Sequence, residues 1–328
     1  MITIADLHLR EESEDVIFNE VFPGIRAALK DDPDKVLAIL GDVWHIRYRV
    51  NVRLQNRVTD FFETLALVDG AWTVLLPGNH DQINVEGENA LEIFSRVQNV
   101  LVYTEPMWNN HGLWIPYRKN PEDIAKALTI PRPKNIPNSP PILWMHHGIQ
   151  GLKMNNNRVD DEGLPISMFQ NFEHVYCGHY HGPQTLKNVT YIGSPYQTRA
   201  DEAGQVKRYG IWHRDSRIMN YKNVEWGKKY HHIRVTPDSP LVMASDVKLD
   251  DEFRIQVTDG VDAEELGRII TDQGFKNVVI TQEQAAAEAR LDVAPQGTLT
   301  DYAQAYVNQF SGNMDVERLM KVFTELTQ

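Results

Sequence analysis

Cysteine is almost missing from this 328-residue sequence; Cys177 stands alone. A single thiol excludes an internal disulfide and any zinc site built on cysteine pairs. No run of about 18 apolar residues occurs, so no membrane-spanning helix is expected. The first residues, Met1-Ile2-Thr3-Ile4-Ala5-Asp6, carry neither a basic stretch nor a long apolar segment and do not read as a secretion signal. Together these absences predict a cytoplasmic protein without membrane association. Positive charge is also short: 33 Lys and Arg against 45 Asp and Glu give a net charge of −12. A protein that grips nucleic acid through a broad basic face is normally basic. Any such contact here must be local, helped by bound cations, or lent by a partner. Internal repeats and low-complexity tracts are absent as well. What remains is 42% hydrophobic and 9% aromatic, enough for a packed core in one large domain or a large and a small one.

The apolar runs share one feature. Each closes on a polar cluster, and the end of a strand is where α/β folds display reactive side chains. Ile2 to Ala5 leads to Asp6-Leu7-His8, Lys35 to Leu40 to Gly41-Asp42, and Ala71 to Leu76 to Pro77-Gly78-Asn79-His80-Asp81. Ile142 to Met145 leads to His146-His147-Gly148, and Val175 to Cys177 to Gly178-His179-Tyr180-His181. Between these runs the spacing predicts a helix over 14–30, kinked or divided by Pro23, one running to about Val68, and one at about 88–96. Further strands are expected near 99–103, 112–116, 189–193 and 209–213, and the five prolines of 129–141 mark a loop. The polar loop from Lys153 to Gly163 reads as a substrate-facing segment.

A single histidine after a strand is ordinarily a satisfied core or surface residue. Five clusters, each closing a strand, call for another explanation. The set mixes Asp, Asn and His without Cys, which suits Mn, Fe or Zn and not an all-oxygen Ca or Mg cage. It is too large for one ion. Two ions roughly 3.5–4 Å apart, bridged by one carboxylate, would use most of it and suit phosphoester hydrolysis. Beside Asp42 stand Arg47, Arg49, Arg53 and Arg57. They read either as the solvated face of the following helix or as a phosphate-contact patch.

Asp6-x-His8, Gly41-Asp42, Gly78-Asn79-His80-Asp81, His146 and Gly178-His179-x-His181 resemble, in order, the motifs of the calcineurin-like metallophosphoesterases. The likeness covers about residues 1–215. Finer features resemble the SbcD branch, counterpart of the nuclease subunit of the MRN DNA-break-repair complex, and the brevity of the chain is similar to phage-encoded members. Those features are Ile4-Ala5-Asp6-Leu7-His8-Leu9 at the start, Gly41-Asp42-x-x-His45, His146-x-Gly148, Tyr191 to Pro195, and Glu202-Ala203-Gly204 with Lys207. The resemblance implies an α/β fold: a four-layer α-β-β-α sandwich (1–228), a small α/β capping domain (229–292) and C-terminal helices (293–328). It implies that Asp6, His8 and His181 hold one metal, that Asn79, His146 and His179 hold a second, and that Asp42 bridges them. His80 would act on the scissile phosphate, Asp81 would orient His80 by hydrogen bonding, and His45 would lie near DNA. Two Mn2+ are expected, with Mg2+, Fe2+ or Zn2+ as alternatives. The expected partners are DNA, an SbcC-like SMC-type ATPase and a second copy of the chain. One departure stands out: Arg10 replaces the family's usual glycine after the first motif.

After about Gly227 the pattern changes. Strands at 229–235 and 252–257, a helix at 263–272 and a strand at 277–280 predict a small α/β unit. A helix over 282–291, a linker at 294–297 and two amphipathic stripes follow. The stripes read either as a closed hairpin or as an ATPase-docking element. The function expected overall is a Mn-dependent DNA exo- and endonuclease in recombination, repair or replication. The rivals are a stand-alone phosphoesterase acting on a small ester and a non-catalytic scaffold.

Overall fold

The computed structural model describes residues 1–47, 49–84, 88–136, 141–241, 247–283 and 303–305. Twelve strands of the first 224 residues form two six-stranded sheets. In chain order they are β1 (Ile2–Ile4), β2 (Val36–Leu40), β3 (Trp72–Leu76), β4 (Val100–Val102), β5 (Met107–Asn109) and β6 (Gly112–Ile115). There follow β7 (Ile142–His146), β8 (His174–Gly178), β9 (Gln184–Leu186), β10 (Val189–Tyr191), β11 (Lys207–His213) and β12 (Ile218–Val224). The sheet orders are β12-β11-β1-β2-β3-β4 and β5-β6-β7-β8-β10-β9. The central strands of each run parallel; β4 continues the parallel run to its edge, while β11, β12, β5 and β9 add antiparallel pairs at the other edges.

Side-chain alternation explains the layering, because neighbours on a strand point to opposite faces. Leu37 and Ile39 of β2 pack outward with Ile17, Ile25, Val58 and Phe62. Ala38 and Leu40 point inward, with Val74, Leu76, Ile142, Trp144 and Tyr176. Leu143 and Met145 face the far side, against Ile124 and Phe169. Three apolar layers thus separate helix, sheet, sheet and helix, which is the expected four-layer α-β-β-α sandwich. Trp144 sits at its centre, stacked on Trp114 at 5.1 Å and edge-on to Trp212 at 5.5 Å.

The outer helices follow local chemistry. The expected 14–30 helix appears as α1 (Glu14–Val16), a π turn (Ile17–Val21) and α2 (Phe22–Asp31), with Pro23 in the first turn of α2. Proline lacks the N–H that an interior helical residue donates, and the widened turn just before it accommodates that loss. Helix α3 (Val52–Leu67) starts at Asn51, whose side chain accepts the amides of Arg53 and Leu54. Its buried stripe is Leu54, Val58, Phe62 and Leu65. The 88–96 helix is corrected: only a 3-10 turn, Glu92–Arg96, forms there. Helix α4 (Pro121–Leu128) and strands β5, β9 and β12 are additions that the sequence reading lacks.

Beyond the sandwich, β13 (Tyr230–Val235), β14 (Glu252–Val257) and β15 (Val278–Gln282) form a parallel three-stranded sheet, with α5 (Ala263–Asp272) between the last two. Its apolar cluster is its own: Val235, Phe253, Ile255, Val257, Ile270 and Phe275. Gln282 ends β15, so the helix expected to begin at Gln282 does not begin there. The rest of that helix, the linker at 294–297 and the terminal stripes lie outside the described residues, apart from helical Ala303-Gln304-Ala305. Among the described residues no helix is long and apolar enough to cross a membrane.

Candidate metal centre

The parallel strands of both sheets end at one rim. There β1 delivers Asp6 and His8, β2 Asp42, β3 Asn79 and His80, β7 His146, and β8 His179 and His181. Asp6, His8, Asp42 and His179 hold φ at 55°, 45°, 53° and 105°, in the left-handed region. Such strain persists where the surrounding structure over-determines it, typically at functional sites. Two glycines make the close approach feasible. A Cβ on Gly41 would lie 2.2 Å from His146 Nδ1, and one on Gly78 would lie 2.3 Å from Asp42 Oδ1.

The expected ligands fall into two sets, and His8, His45 and His80 form a further close group beside them. Asp6, His8 and His181 form one set, and Asp42, His146 and His179 the other, the ligand atoms of each set lying within 4.8 Å of one another. Asn79 Oδ1 joins the second, 2.8 Å from His179 Nδ1 and 3.1 Å from His146 Nε2. Asp42 lies between the sets, with Oδ2 3.6 Å from His8 Nε2 and Oδ1 3.4 Å from His146 Nε2. The outer ring nitrogens are already committed. His146 Nδ1 donates to the Leu40 carbonyl at 2.8 Å, and His181 Nδ1 donates to Glu202 Oε1 at 2.6 Å. The inner Nε2 atoms of His146 and His181 are thereby left as acceptors, and His181 Nε2 lies only 2.9 Å from His8 Nε2. Two ring nitrogens this close are joined by a proton or by a cation between them. The oxygen and imidazole donors fit a dinuclear divalent-metal site.

Electrostatics agree with a site built for cations. Burial pushes the Asp6 carboxyl up to about 6, against the pull of His146 and His181. Burial also opposes charge on His146, yet the Asp42 carboxylate beside it prevails and raises the imidazole to about 9. Burial and the positive His146 push His179 down to about 3. Without a metal, the centre thus places a proton on His146 where a ligand lone pair is needed.

His80 stands beside both sets, its ring edge-on to His8 at 4.8 Å. Its amide donates to Asp42 Oδ1 at 2.8 Å, and its Nδ1 donates to the His45 carbonyl at 2.7 Å. Nε2 is left free of that bond. The expectation for Asp81 is corrected. Its buried carboxylate accepts the amides of Gly78 (2.9 Å), Trp44 (3.0 Å) and Val43 (3.3 Å), and none of its bonds reaches His80. Asp81 therefore ties the Asp42 loop to the Asn79 loop, and the His45 carbonyl orients His80. The His45 ring lies 3.3 Å from His8 Nδ1 and takes a hydrogen bond from Arg10 at 3.0 Å. Burial, then Arg10 and His80, hold it down to about 4.

The arginines divide. Arg53 and Arg57 both pair with Glu14 while staying 64% and 40% exposed, and Arg57 also caps the Phe18 ring at 3.8 Å. They fasten α3 to the 14–31 helix. Arg49 lines a cleft of about 900 Å3 with Arg10, Trp44 and His45. Arg47 acts on Tyr117, whose ring stacks on His147 at 5.2 Å.

The polar loop is exposed over Asn156 to Val159 and at Asp161 and Glu162, and Asn155 ties it to the centre. Asn155 Oδ1 accepts the His181 amide at 2.7 Å, and its Nδ2 donates to the His179 carbonyl at 3.4 Å. The Asn155-Asn156-Asn157 run was visible in the sequence, but nothing there says which backbone it supports. Glu202 and Lys207, legible only as part of a resemblance, prove to be the buried partners of His181. No local signal marks them.

A phosphoester-hydrolysing metal enzyme is the class that this sandwich and rim define. The family model for calcineurin-like phosphoesterases matches residues 2–236, and the chain belongs to that family. The chain is 21% identical over 249 residues to exonuclease subunit 1 of Enterobacteria phage T4, covering 71% of this chain and 70% of the phage protein. It is also 23% identical over 243 residues to an uncharacterized protein of Acanthamoeba polyphaga mimivirus. That match covers 67% of this chain and 18% of the mimivirus protein's length.

Proposed function

We propose that this chain is a Mn-dependent DNA exo- and endonuclease acting in the cytoplasm. The observation that carries the chemistry is the Asp42 carboxylate lying between two donor sets, with the His80 ring alongside. Two divalent ions, one held by Asp6, His8 and His181 and one by Asn79, His146 and His179, would supply charge neutralisation at a phosphoryl group and lower the pKa of water there. The chain's own residues do the rest. His80, held through Nδ1 by the His45 carbonyl, presents Nε2 to donate a proton to the leaving oxygen. Arg10 and Arg49, on the wall of the adjoining cleft, suit a phosphate next to the one being cut. DNA as substrate is supported by the similarity to a phage protein named as an exonuclease subunit. The word subunit also supports a partner, which we take to be an SbcC-like ATPase. Such a partner would supply the DNA-binding charge that a chain of net charge −12 lacks, and a second copy of this chain would complete the assembly.

A second reading is a stand-alone phosphoesterase acting on a small ester. The acidic balance favours it, as does the commitment of Arg53 and Arg57 to Glu14. Linear duplex DNA and bis-p-nitrophenyl phosphate, each assayed with Mn2+ and with an SbcC-like ATPase, separate the two readings. The nuclease reading expects degraded DNA. Turnover of the small ester with intact DNA would establish the second reading instead.

A further inference from the structure

Glu202 and Lys207 have no part in the chemistry above, yet they are buried against it. Glu202 is 0% exposed and Lys207 is 4% exposed. Glu202 closes a 3-10 turn, Ala200–Glu202, between β10 and β11, and Lys207 is the first residue of β11. Glu202 Oε1 accepts from His181 Nδ1 at 2.6 Å and from the Thr198 hydroxyl at 2.5 Å. Its Oε2 accepts from the Thr198 amide at 3.0 Å and from Lys207 Nζ at 2.6 Å. Lys207 Nζ also donates to Ser194 Oγ at 2.8 Å, Gln205 Oε1 at 3.1 Å and the His181 carbonyl at 3.2 Å.

Packing does not require this pair. Two well-packed apolar residues of similar volume are often as stabilising as a buried ion pair, because desolvating two charges is costly. What an apolar pair cannot do is act on His181. A carboxylate at Nδ1 fixes the proton there, holds the ring plane, and leaves the Nε2 lone pair turned toward His8. Lys207 holds the same residue by its carbonyl, so ring and main chain are both constrained. The other donor set is built differently, since a main-chain carbonyl, that of Leu40, meets His146 in the corresponding place. Carboxylate partners of this kind orient metal-binding histidines and strengthen their donation.

We propose that Glu202, balanced by Lys207, is a positioning residue that sets the metal affinity of the Asp6–His8–His181 set and leaves the Asn79–His146–His179 set untouched. The inference rests on the dinuclear reading of the site. Mn2+ titration of the full-length chain tests it, followed by calorimetry and by the electron paramagnetic resonance of Mn–Mn coupling. The wild type is expected to bind two Mn2+ with a coupled spectrum. The charge-balanced variant Glu202→Gln/Lys207→Met is expected to keep one site at wild-type affinity and to weaken the other by about 10–100-fold. Its spectrum at low Mn2+ would be that of isolated ions, and excess Mn2+ would restore the coupling. Thr198→Val removes a hydroxyl that bonds Glu202 and also lies 3.1 Å from His181 Nδ1, and leaves both charges in place, so it tests the polar cradle around His181 Nδ1 if the double variant fails to fold. It is expected to weaken the same single site. Two sites of wild-type affinity in either folded variant overturn the inference, and so does equal weakening of both. A wild-type chain that binds no Mn2+ overturns the dinuclear reading itself.

Discussion

His80 is the residue whose role separates most cleanly from its neighbours. Its side chain contacts no metal-set atom by hydrogen bond, and Nδ1 is spent on the His45 carbonyl. Replacing it with alanine should lower kcat by about 10²–10⁴-fold, the usual worth of a positioned acid, and leave Mn2+ stoichiometry unchanged. Steady-state kinetics beside a metal titration read both. His146 makes a pH prediction. Its folded-state value, raised from the ordinary 6.5 to about 9, means the metal-free protein gains stability from the protonated ring. That gain is fully present below about 6.5 and is lost as pH rises through about 9. A metal must displace this proton, so Mn2+ affinity should climb with pH, by up to about tenfold per unit for one displaced proton, and level off above about 9. Calorimetry from pH 6.5 upward checks it, and a flat profile would contradict it. The metal-set residues were legible because each stands immediately after an apolar run. The partners of Asp81 were not, because two of them are main-chain amides, of Val43 and Trp44, 38 and 37 residues away in sequence.

At the scale of elements, the strand-end loops are the working parts. Gly78 lets the Asn79 loop pass within van der Waals reach of Asp42. Gly78→Ala should misplace Asp42, cost about 1–3 kcal/mol of stability by overpacking, and weaken metal binding, read by thermal melts with and without Mn2+. Helix α3 supplies a contrasting prediction. Arg53 and Arg57 are more than one third exposed, so their bonds to Glu14 are discounted for solvent screening. Arg57→Ala should cost under about 1 kcal/mol and leave the salt dependence of DNA cleavage unchanged. A reduced salt slope would restore it as a phosphate contact. Four arginines within eleven residues were plain in the sequence. Which of them face Glu14 depends on how α3 docks on the 14–31 helix, and no local pattern encodes that. The 88–96 segment shows the same limit, since Leu91 and Phe94 satisfy a short 3-10 turn as well as they would a helix.

At the scale of the whole molecule, the central strands were readable as continuous apolar runs because both of their faces are buried, while their arrangement in a two-sheet sandwich was implied by the resemblance of the motifs. The edge strand β12, interrupted by Asn220, Lys222 and Asn223, carried no such signal. The three-stranded unit was readable from its own β-α-β pattern. Central to the chemistry is that two ions, one in each donor set on either side of Asp42, would be needed together for phosphodiester hydrolysis. The most direct test follows hydrolysis of bis-p-nitrophenyl phosphate by metal-stripped protein while Mn2+ is added in known equivalents, at protein concentrations above the dissociation constants. No turnover without metal, a lag through the first equivalent, and a plateau at two are expected. Full activity at one equivalent, or in the metal-stripped protein, would contradict it.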